Sequence, residues 1–164
     1  MTDKPVEEKE APEKKETQGK TLQERLAERM NSSSQDGLLQ ALAALIERMY
    51  PMEIGVGVTL TVGGTLISGS LISGQWYFAQ LAEQLKASPQ PAPAFAAMPE
   101  TFREALKINL AKENEPFVSN FVHLMDARVH APGQMPIPTG GKGALWRGRI
   151  DAVDGFMWGL ITAG

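Results

Sequence analysis

The stretch Val56-Gly-Val-Thr-Leu-Thr-Val-Gly-Gly-Thr-Leu-Ile-Ser-Gly-Ser-Leu-Ile72 decides the fold class of this 164-residue chain. Its first half, up to Val62, alternates aliphatic residues with small or hydroxyl ones, which is the period of a strand with one buried face. Gly63-Gly64 follows, and two glycines supply the positive φ angles of a two-residue hairpin turn. The stretch therefore predicts an antiparallel hairpin with strands over 56–62 and 65–72.

The same region is uncharged, so it has to be tested as a membrane span. No charged residue occurs from Ile54 to Ala82. However, twelve of the 21 residues over Ile54–Gly74 are Gly, Ser or Thr, whereas a spanning helix needs about 20 predominantly apolar residues. We therefore expect strands and no membrane span.

Composition excludes several classes of function. The formal net charge is −3 at pH 7 and the pI is near 5.4, whereas nucleic-acid-binding domains typically have a pI above about 9. The charge therefore argues against nucleic acid as a partner. The chain has no cysteine and two histidines, which excludes disulfides, thiol catalysis and thiolate metal sites. We expect no cofactor, no metal and a cytoplasmic location.

The N-terminal 35 residues are predicted to form a disordered tail, followed by a single folded domain over 36–164. Residues 1–31 contain eight acidic and seven basic residues and no aromatic residue, and such a segment buries too little to offset its ordering entropy. It is either a solubilising tail or an interaction arm. An apolar segment typical of a secretory signal is not expected here.

Helical patterns surround the hairpin. Ser34 or Asp36 is suited to cap a helix that carries a leucine-rich face and ends at Pro51. After the hairpin, an insert over 74–116 is predicted to hold a helical pair. Its expected parts are a helix over 76–87, a Pro- and Ala-rich connector over 88–99, and a helix over 100–114 that Pro99 introduces.

Three further strands are expected after the insert, over 117–130, 144–150 and 153–161, with a Pro- and Gly-rich loop over 131–143. Glycine-rich strands of this length favour a small, sharply bent sheet. The predicted fold is therefore α+β: a small bent five-stranded antiparallel β-barrel with an N-terminal helix and an inserted helical pair.

Catalytic motifs fail when they are tested against their spacing. A phosphate-binding loop requires Gly-Lys-Ser/Thr, but Gly141-Lys142 is followed by Gly143. Ser119, His123 and Asp126 have the residue types of a nucleophile triad, yet strand alternation puts the last two on opposite faces. We expect no enzymatic activity, and a core or interface role for His123.

Four residues are candidates for partner binding: Trp146, Arg147, Arg149 and Phe156. The two arginines share one face of a predicted strand and are suited to a phosphate or an acidic partner, although pairing with Asp126 or Asp151 is an alternative. The two aromatic residues are suited to an interface or to the core.

The order of motifs resembles the Sm-like fold of ring-forming RNA-binding proteins. The hairpin resembles its first block, and the resemblance continues at Leu124-Met-Asp126-Ala127 and Trp146-Arg-Gly-Arg-Ile150. The asparagine of that family's RNA pocket would fall at Phe121, one position from Asn120, and a shift of one residue changes the face of a strand.

A second resemblance is to the gas vesicle accessory protein U family. It rests on Ile67-Ser-Gly-Ser-Leu-Ile-Ser73 with Tyr77-Phe78, on Phe121-Val-His-Leu124, on Trp146-Arg-Gly-Arg-Ile150 and on Val153-Asp-Gly-Phe156. This resemblance implies a non-enzymatic, cytoplasmic, gas vesicle-associated protein. It is expected to form a homo-oligomer, to bind the gas vesicle shell or other gas vesicle proteins, and to aid assembly or clustering. The alternative is an Sm-like RNA-binding ring.

Overall fold

The computed structural model describes residues 36–87, 93–112 and 117–161, together with Thr21, Glu24 and Ala27. Apart from those three residues, the predicted tail over 1–35 lies outside the described residues. Its disorder and the boundary of the domain at residue 36 stay predictions.

Helix α1 spans Gly37–Met49 and begins directly after Asp36, one of the two capping residues that the sequence offers. The Asp36 carboxylate accepts hydrogen bonds from the backbone N–H groups of Leu38, at 3.0 Å, and Leu39, at 3.1 Å. These are two of the donors that a helix leaves unpaired at its start. The helix ends at Met49, and its C-cap residue Tyr50 directly precedes Pro51, where the sequence predicts the end.

The predicted hairpin is confirmed with its register. Strand β1 spans Val56–Val62, strand β2 spans Thr65–Ile72, and Val62 lies opposite Thr65. Both glycines of the turn have positive φ, 55° at Gly63 and 77° at Gly64. Residues other than glycine rarely adopt that backbone conformation, which explains the Gly-Gly pair.

The helical pair is present, but the second helix begins earlier than expected. Helix α2 spans Gly74–Ala87 and helix α3 spans Pro93–Leu110. The expectation that Pro99 starts the second helix is wrong, because Pro99 lies inside α3. Proline is well suited to the first helical position, which Pro93 takes, and the Ala-rich residues that follow favour helix.

The last three strands complete a five-stranded antiparallel sheet. Strand β3 spans Phe121–His130, β4 spans Ala144–Arg149 and β5 spans Gly155–Trp158, with a 3₁₀ turn over Ile150–Ala152 between the last two. The spatial order is β4-β3-β2-β1-β5. The α+β class is therefore confirmed, although β3 and β5 are shorter than predicted.

The sheet is open, so the predicted closure into a barrel is not found. In the part of the chain that the structure describes, β4 pairs with β3 and β5 pairs with β1, and no ladder joins β4 to β5. The 3₁₀ turn carries the chain across the end of the sheet, where Ile150 N bonds Asn120 O and Asp154 N bonds Thr61 O. It therefore links the two edges without bringing them side by side.

Each face of the sheet carries its own apolar core. Helix α1 packs on one face, here called the α1 face, and α2 and α3 pack on the other, here called the helical-pair face. The α1 face buries Leu39, Ala43, Ile46, Val58, Leu60, Ile67, Leu71, Val122, Leu124, Ala127 and Ile150. The helical-pair face buries Ile72, Tyr77 and Phe78. The domain therefore has three layers, with the sheet in the middle.

A buried carboxylate joins α1 to the start of α2. Glu47 is 4% exposed, and its two oxygens accept from the backbone N–H groups of Gly74 and of Gln75, the latter at 3.2 Å. Ser73 Oγ accepts from Trp76 N at 3.0 Å, so the first donors of α2 are satisfied. Burial raises the pKa of Glu47, and the backbone hydrogen bonds oppose that rise.

Candidate functional site

Trp146 lies on the α1 face, where its ring covers a glycine of its own strand. The residue is half-buried and packs against the core cluster of that face. A Cβ atom built on Gly148 would lie 2.2 Å from Trp146 Cη2. The glycine two residues along the strand therefore leaves room for the indole ring, which accounts for the Trp-Arg-Gly pattern in this sequence.

Replacing Gly148 with alanine is expected to lower the free energy of unfolding by about 1–2 kcal/mol, because the indole ring has to leave its place over the strand. Urea denaturation followed by circular dichroism measures this change. The matched control is Gly155→Ala on β5, where a Cβ atom would meet nothing within 4 Å. An equal loss for both variants would show that strand glycines matter here for another reason than the ring.

Arg147 lies on the opposite face of the same strand. Its guanidinium carbon is 3.4 Å from the centroid of the Phe121 ring. Its Nε donates to His123 Nε2 at 3.3 Å. Since His123 lies directly opposite Arg147 in the register, both contacts are made across the β3–β4 ladder.

Arg149 follows on the same face and is exposed. Its guanidinium donates to the carboxylate of Asp151 in the 3₁₀ turn. The alternative that an arginine of this strand pairs with Asp151 therefore holds for Arg149. Asp126, the other acidic candidate, instead accepts from the backbone N–H of Gly143 at 3.2 Å.

Phe156 lies on edge strand β5 and packs against the α1-face core. Its ring meets that of Trp158 edge-on, with centroids 6.0 Å apart. The outer residues of this segment are apolar yet exposed: Met157 is 51% exposed, Trp158 60% and Leu160 51%. We call these three residues the β5 apolar edge.

The four candidate residues thus do not form one patch. Trp146 and Phe156 lie on the α1 face, on the two opposite edge strands, while Arg147 and Arg149 lie on the helical-pair face. The β5 apolar edge was missed, although three consecutive apolar residues, Phe156-Met-Trp158, put apolar side chains on both faces of a strand. Apolar side chains are also exposed on α3, at Phe95, Met98, Phe102 and Ile108.

His123 is a buried histidine in an apolar cluster. It is 6% exposed, and its ring centroid lies 4.9 Å from that of Tyr77 and 5.8 Å from that of Phe78. Burial, and secondarily the charge of Arg147, lowers its pKa to about 3. The ring is therefore neutral at physiological pH, and its Nε2 acts as the acceptor for Arg147.

In the described part of the chain, no hydrogen bond joins the three residues of the candidate triad to one another. Ser119 Oγ donates to Phe121 O at 2.8 Å, and Asp126 is exposed with a positive φ of 53° at an irregularity in β3. His123 faces the helical pair, as described above. Among the described residues, no group of three or more His, Cys, Asp or Glu side chains could hold a metal ion.

A shallow groove of about 330 Å³ lies at the far end of β2 and β3, lined in part by Leu66, His130, Pro132 and Ile161. His130 Nε2 is 2.6 Å from Ser68 Oγ. Ser68 is 3% exposed, so its hydroxyl is shielded from solvent. The contact therefore secures the end of the hairpin against β3.

The fold defines an α+β domain built on an open five-stranded antiparallel sheet, with one helix on one face and a helical pair on the other. The sequence matches the family described as gas vesicle protein GvpU-like over residues 36–161, and the chain belongs to this family. The resemblance found in the sequence is thereby confirmed. Comparison with curated proteins and comparison with solved structures found no match. Within the described residues, no helix has the length and apolarity to cross a membrane.

Proposed function

We propose that this gas vesicle protein is a non-enzymatic accessory protein of the cytoplasm that self-associates. In this proposal it also binds the gas vesicle shell or sister accessory proteins, and so aids assembly or clustering. Membership of the GvpU-like family supports the link to gas vesicles. Trp146, Arg147, Arg149 and Phe156 are the proposed contact residues, now joined by the β5 apolar edge.

The observation that carries self-association is the β5 apolar edge. An edge strand presents unpaired backbone N–H and C=O groups, and proteins usually protect such edges with charges, prolines or bulges. Here β5 instead exposes Met157 and Trp158 beside those groups. A second strand paired along it would satisfy the backbone and cover both side chains.

The proposed partner edge is β4 of the next copy. Strands β4 and β5 run in the same direction, so parallel pairing of β5 with β4 continues the sheet and keeps each face of one copy on the same side as that face of the next. Trp146 of one copy then lies on the same face as Phe156 and Trp158 of its neighbour. Such head-to-tail contacts close into rings or extend into filaments, and either product is multivalent.

Substituting Trp158 with lysine is expected to weaken self-association by about 30-fold, because a charge replaces a large aromatic side chain on the edge. Size-exclusion chromatography with light scattering measures the mass, at two salt concentrations. The matched control is Phe95→Lys on α3, which is 61% exposed. It changes an equally exposed aromatic away from the sheet edges and should leave the mass unchanged.

The same measurement with a short uridine-rich RNA tests the alternative function. A multimer that ignores RNA supports the accessory role. Co-elution with RNA at low salt would favour an Sm-like RNA-binding ring, and a monomeric wild-type protein at both salt concentrations would contradict edge pairing.

A further inference from the structure

Arg147 differs from three other arginines of the domain in its partners. Arg103 donates to Glu100 and Tyr50, Arg128 donates to two backbone carbonyls, and Arg149 donates to Asp151. Arg147 instead donates from Nε to a ring nitrogen, that of His123. Within the described residues no carboxylate lies within ion-pair distance of it, and its two Nη atoms have no hydrogen-bond partner.

The two contacts of Arg147 fix the guanidinium plane. Phe121 supports one face of the group at 3.4 Å, and His123 holds Nε at the inner side. A guanidinium held in this way loses little conformational entropy when its outer fork binds a ligand. The residue as a whole remains exposed.

Partial desolvation without a counter-charge prepares the group for an anion. Burial lowers the pKa of Arg147, which shows that the surroundings disfavour its positive charge. The neutral His123 ring supplies a lone pair but no negative charge. An oxyanion at the fork would restore charge balance and form two parallel N–H···O bonds.

We propose that Phe121 and Arg147 form a receptor for a carboxylate, supplied by an acidic side chain of a protein partner. This inference deepens the proposed function and rests on it, because the partner is taken to be another gas vesicle component. A carboxylate matches the fork in shape and charge. The opposing edge strand of a second copy, Gly155–Trp158, carries no acidic residue, so the ligand is a different segment.

The surroundings favour one carboxylate over a nucleic-acid backbone. Polyphosphate binding draws on several cations in a row. Next to Arg147 the nearest basic residue along the strand is Arg149, and its charge is already balanced by Asp151. The chain as a whole is acidic, with a net charge of −3. The site is therefore suited to one carboxylate and not to a row of phosphates.

The test measures fluorescence anisotropy of a labelled hexaglutamate peptide with the full-length protein, against a hexaglutamine peptide of the same length. Arg147→Lys keeps the charge but loses the fork, so we expect at least fivefold weaker hexaglutamate binding. Phe121→Leu removes the supporting ring and should weaken binding about threefold. Arg48→Lys, at an exposed arginine in the last turn of α1 and outside the proposed contact residues, is the matched control and should stay within twofold of wild type.

Each other outcome contradicts the proposal. Unchanged binding in Arg147→Lys would indicate general charge attraction, because lysine keeps the charge. Equal weakening by Arg147→Lys and Arg48→Lys would show that the loss is not specific to this fork, and binding of hexaglutamine would exclude carboxylate recognition. Tighter binding of a labelled hexauridylate than of hexaglutamate, lost in Arg147→Lys, would identify RNA as the ligand in place of a protein carboxylate. Because Trp158→Lys tests self-association on another strand, hexaglutamate binding that persists in that variant separates this site from edge pairing.

Discussion

Replacing Glu47 with alanine is expected to lower the free energy of unfolding by about 3 kcal/mol. The change leaves the backbone N–H groups of Gly74 and Gln75 buried without an acceptor, and each unsatisfied donor costs about 1–3 kcal/mol. It also removes the negative charge at the start of α2, which stabilises the helix end. Urea denaturation followed by circular dichroism at pH 7 measures the loss.

Two further variants separate the loss of the Glu47 hydrogen bonds from a general effect of losing a carboxylate. Glu83→Ala removes an exposed carboxylate of α2 that forms an ion pair with Lys86 at 2.7 Å. It should change the free energy of unfolding by less than about 0.5 kcal/mol. Glu47→Gln keeps the shape and one acceptor oxygen, so its loss should be intermediate. If Glu47→Ala proves as stable as Glu83→Ala, the buried carboxylate does not stabilise the start of α2.

Lowering the pH from 7 to 5 is expected to destabilise the protein by about 2 kcal/mol through His123. Its pKa is about 3 in the folded protein and 6.5 when unfolded, so the unfolded state binds the proton first as the pH falls. The contribution of this histidine is fully present above pH 6.5 and is lost progressively towards pH 3. Urea denaturation at several pH values measures the slope.

His123→Gln is expected to abolish this rise of stability with pH. Glutamine keeps an acceptor for Arg147 but does not titrate. Glu47 acts in the opposite sense, because its pKa is raised on folding and its contribution is lost as the pH rises through the folded value. A variant whose stability still rises with pH as steeply as wild type would show that another group is responsible.

Local pattern was sufficient for the hairpin and for α1. Alternation over 56–62 and the Gly63-Gly64 turn specify one register, and Asp36 satisfies the first donors of its helix whatever packs against it. The start of α3 was missed because proline is read locally as a boundary, whereas Pro99 is accommodated within a helix that packs against α2.

The site was only partly predictable, because it depends on pairing between distant strands. Parity along β4 correctly places Arg147 and Arg149 on one face. The partners of Arg147, however, come from β3, whose alternation is interrupted near Asp126. Residue spacing on one strand does not reveal the register of its neighbour, so neither Phe121 nor His123 could be assigned to the arginine from the sequence.

The Glu47 contact also bears on how the insert over 74–116 relates to the rest of the domain. An insertion attached only through its two ends can be shortened or exchanged between relatives with little effect on its host. Here Glu47 of helix α1 accepts a hydrogen bond from the first turn of the insert, and the His123 ring contacts the rings of Tyr77 and Phe78 in that insert. The helical pair is thus an integral part of the domain and not a transplantable module.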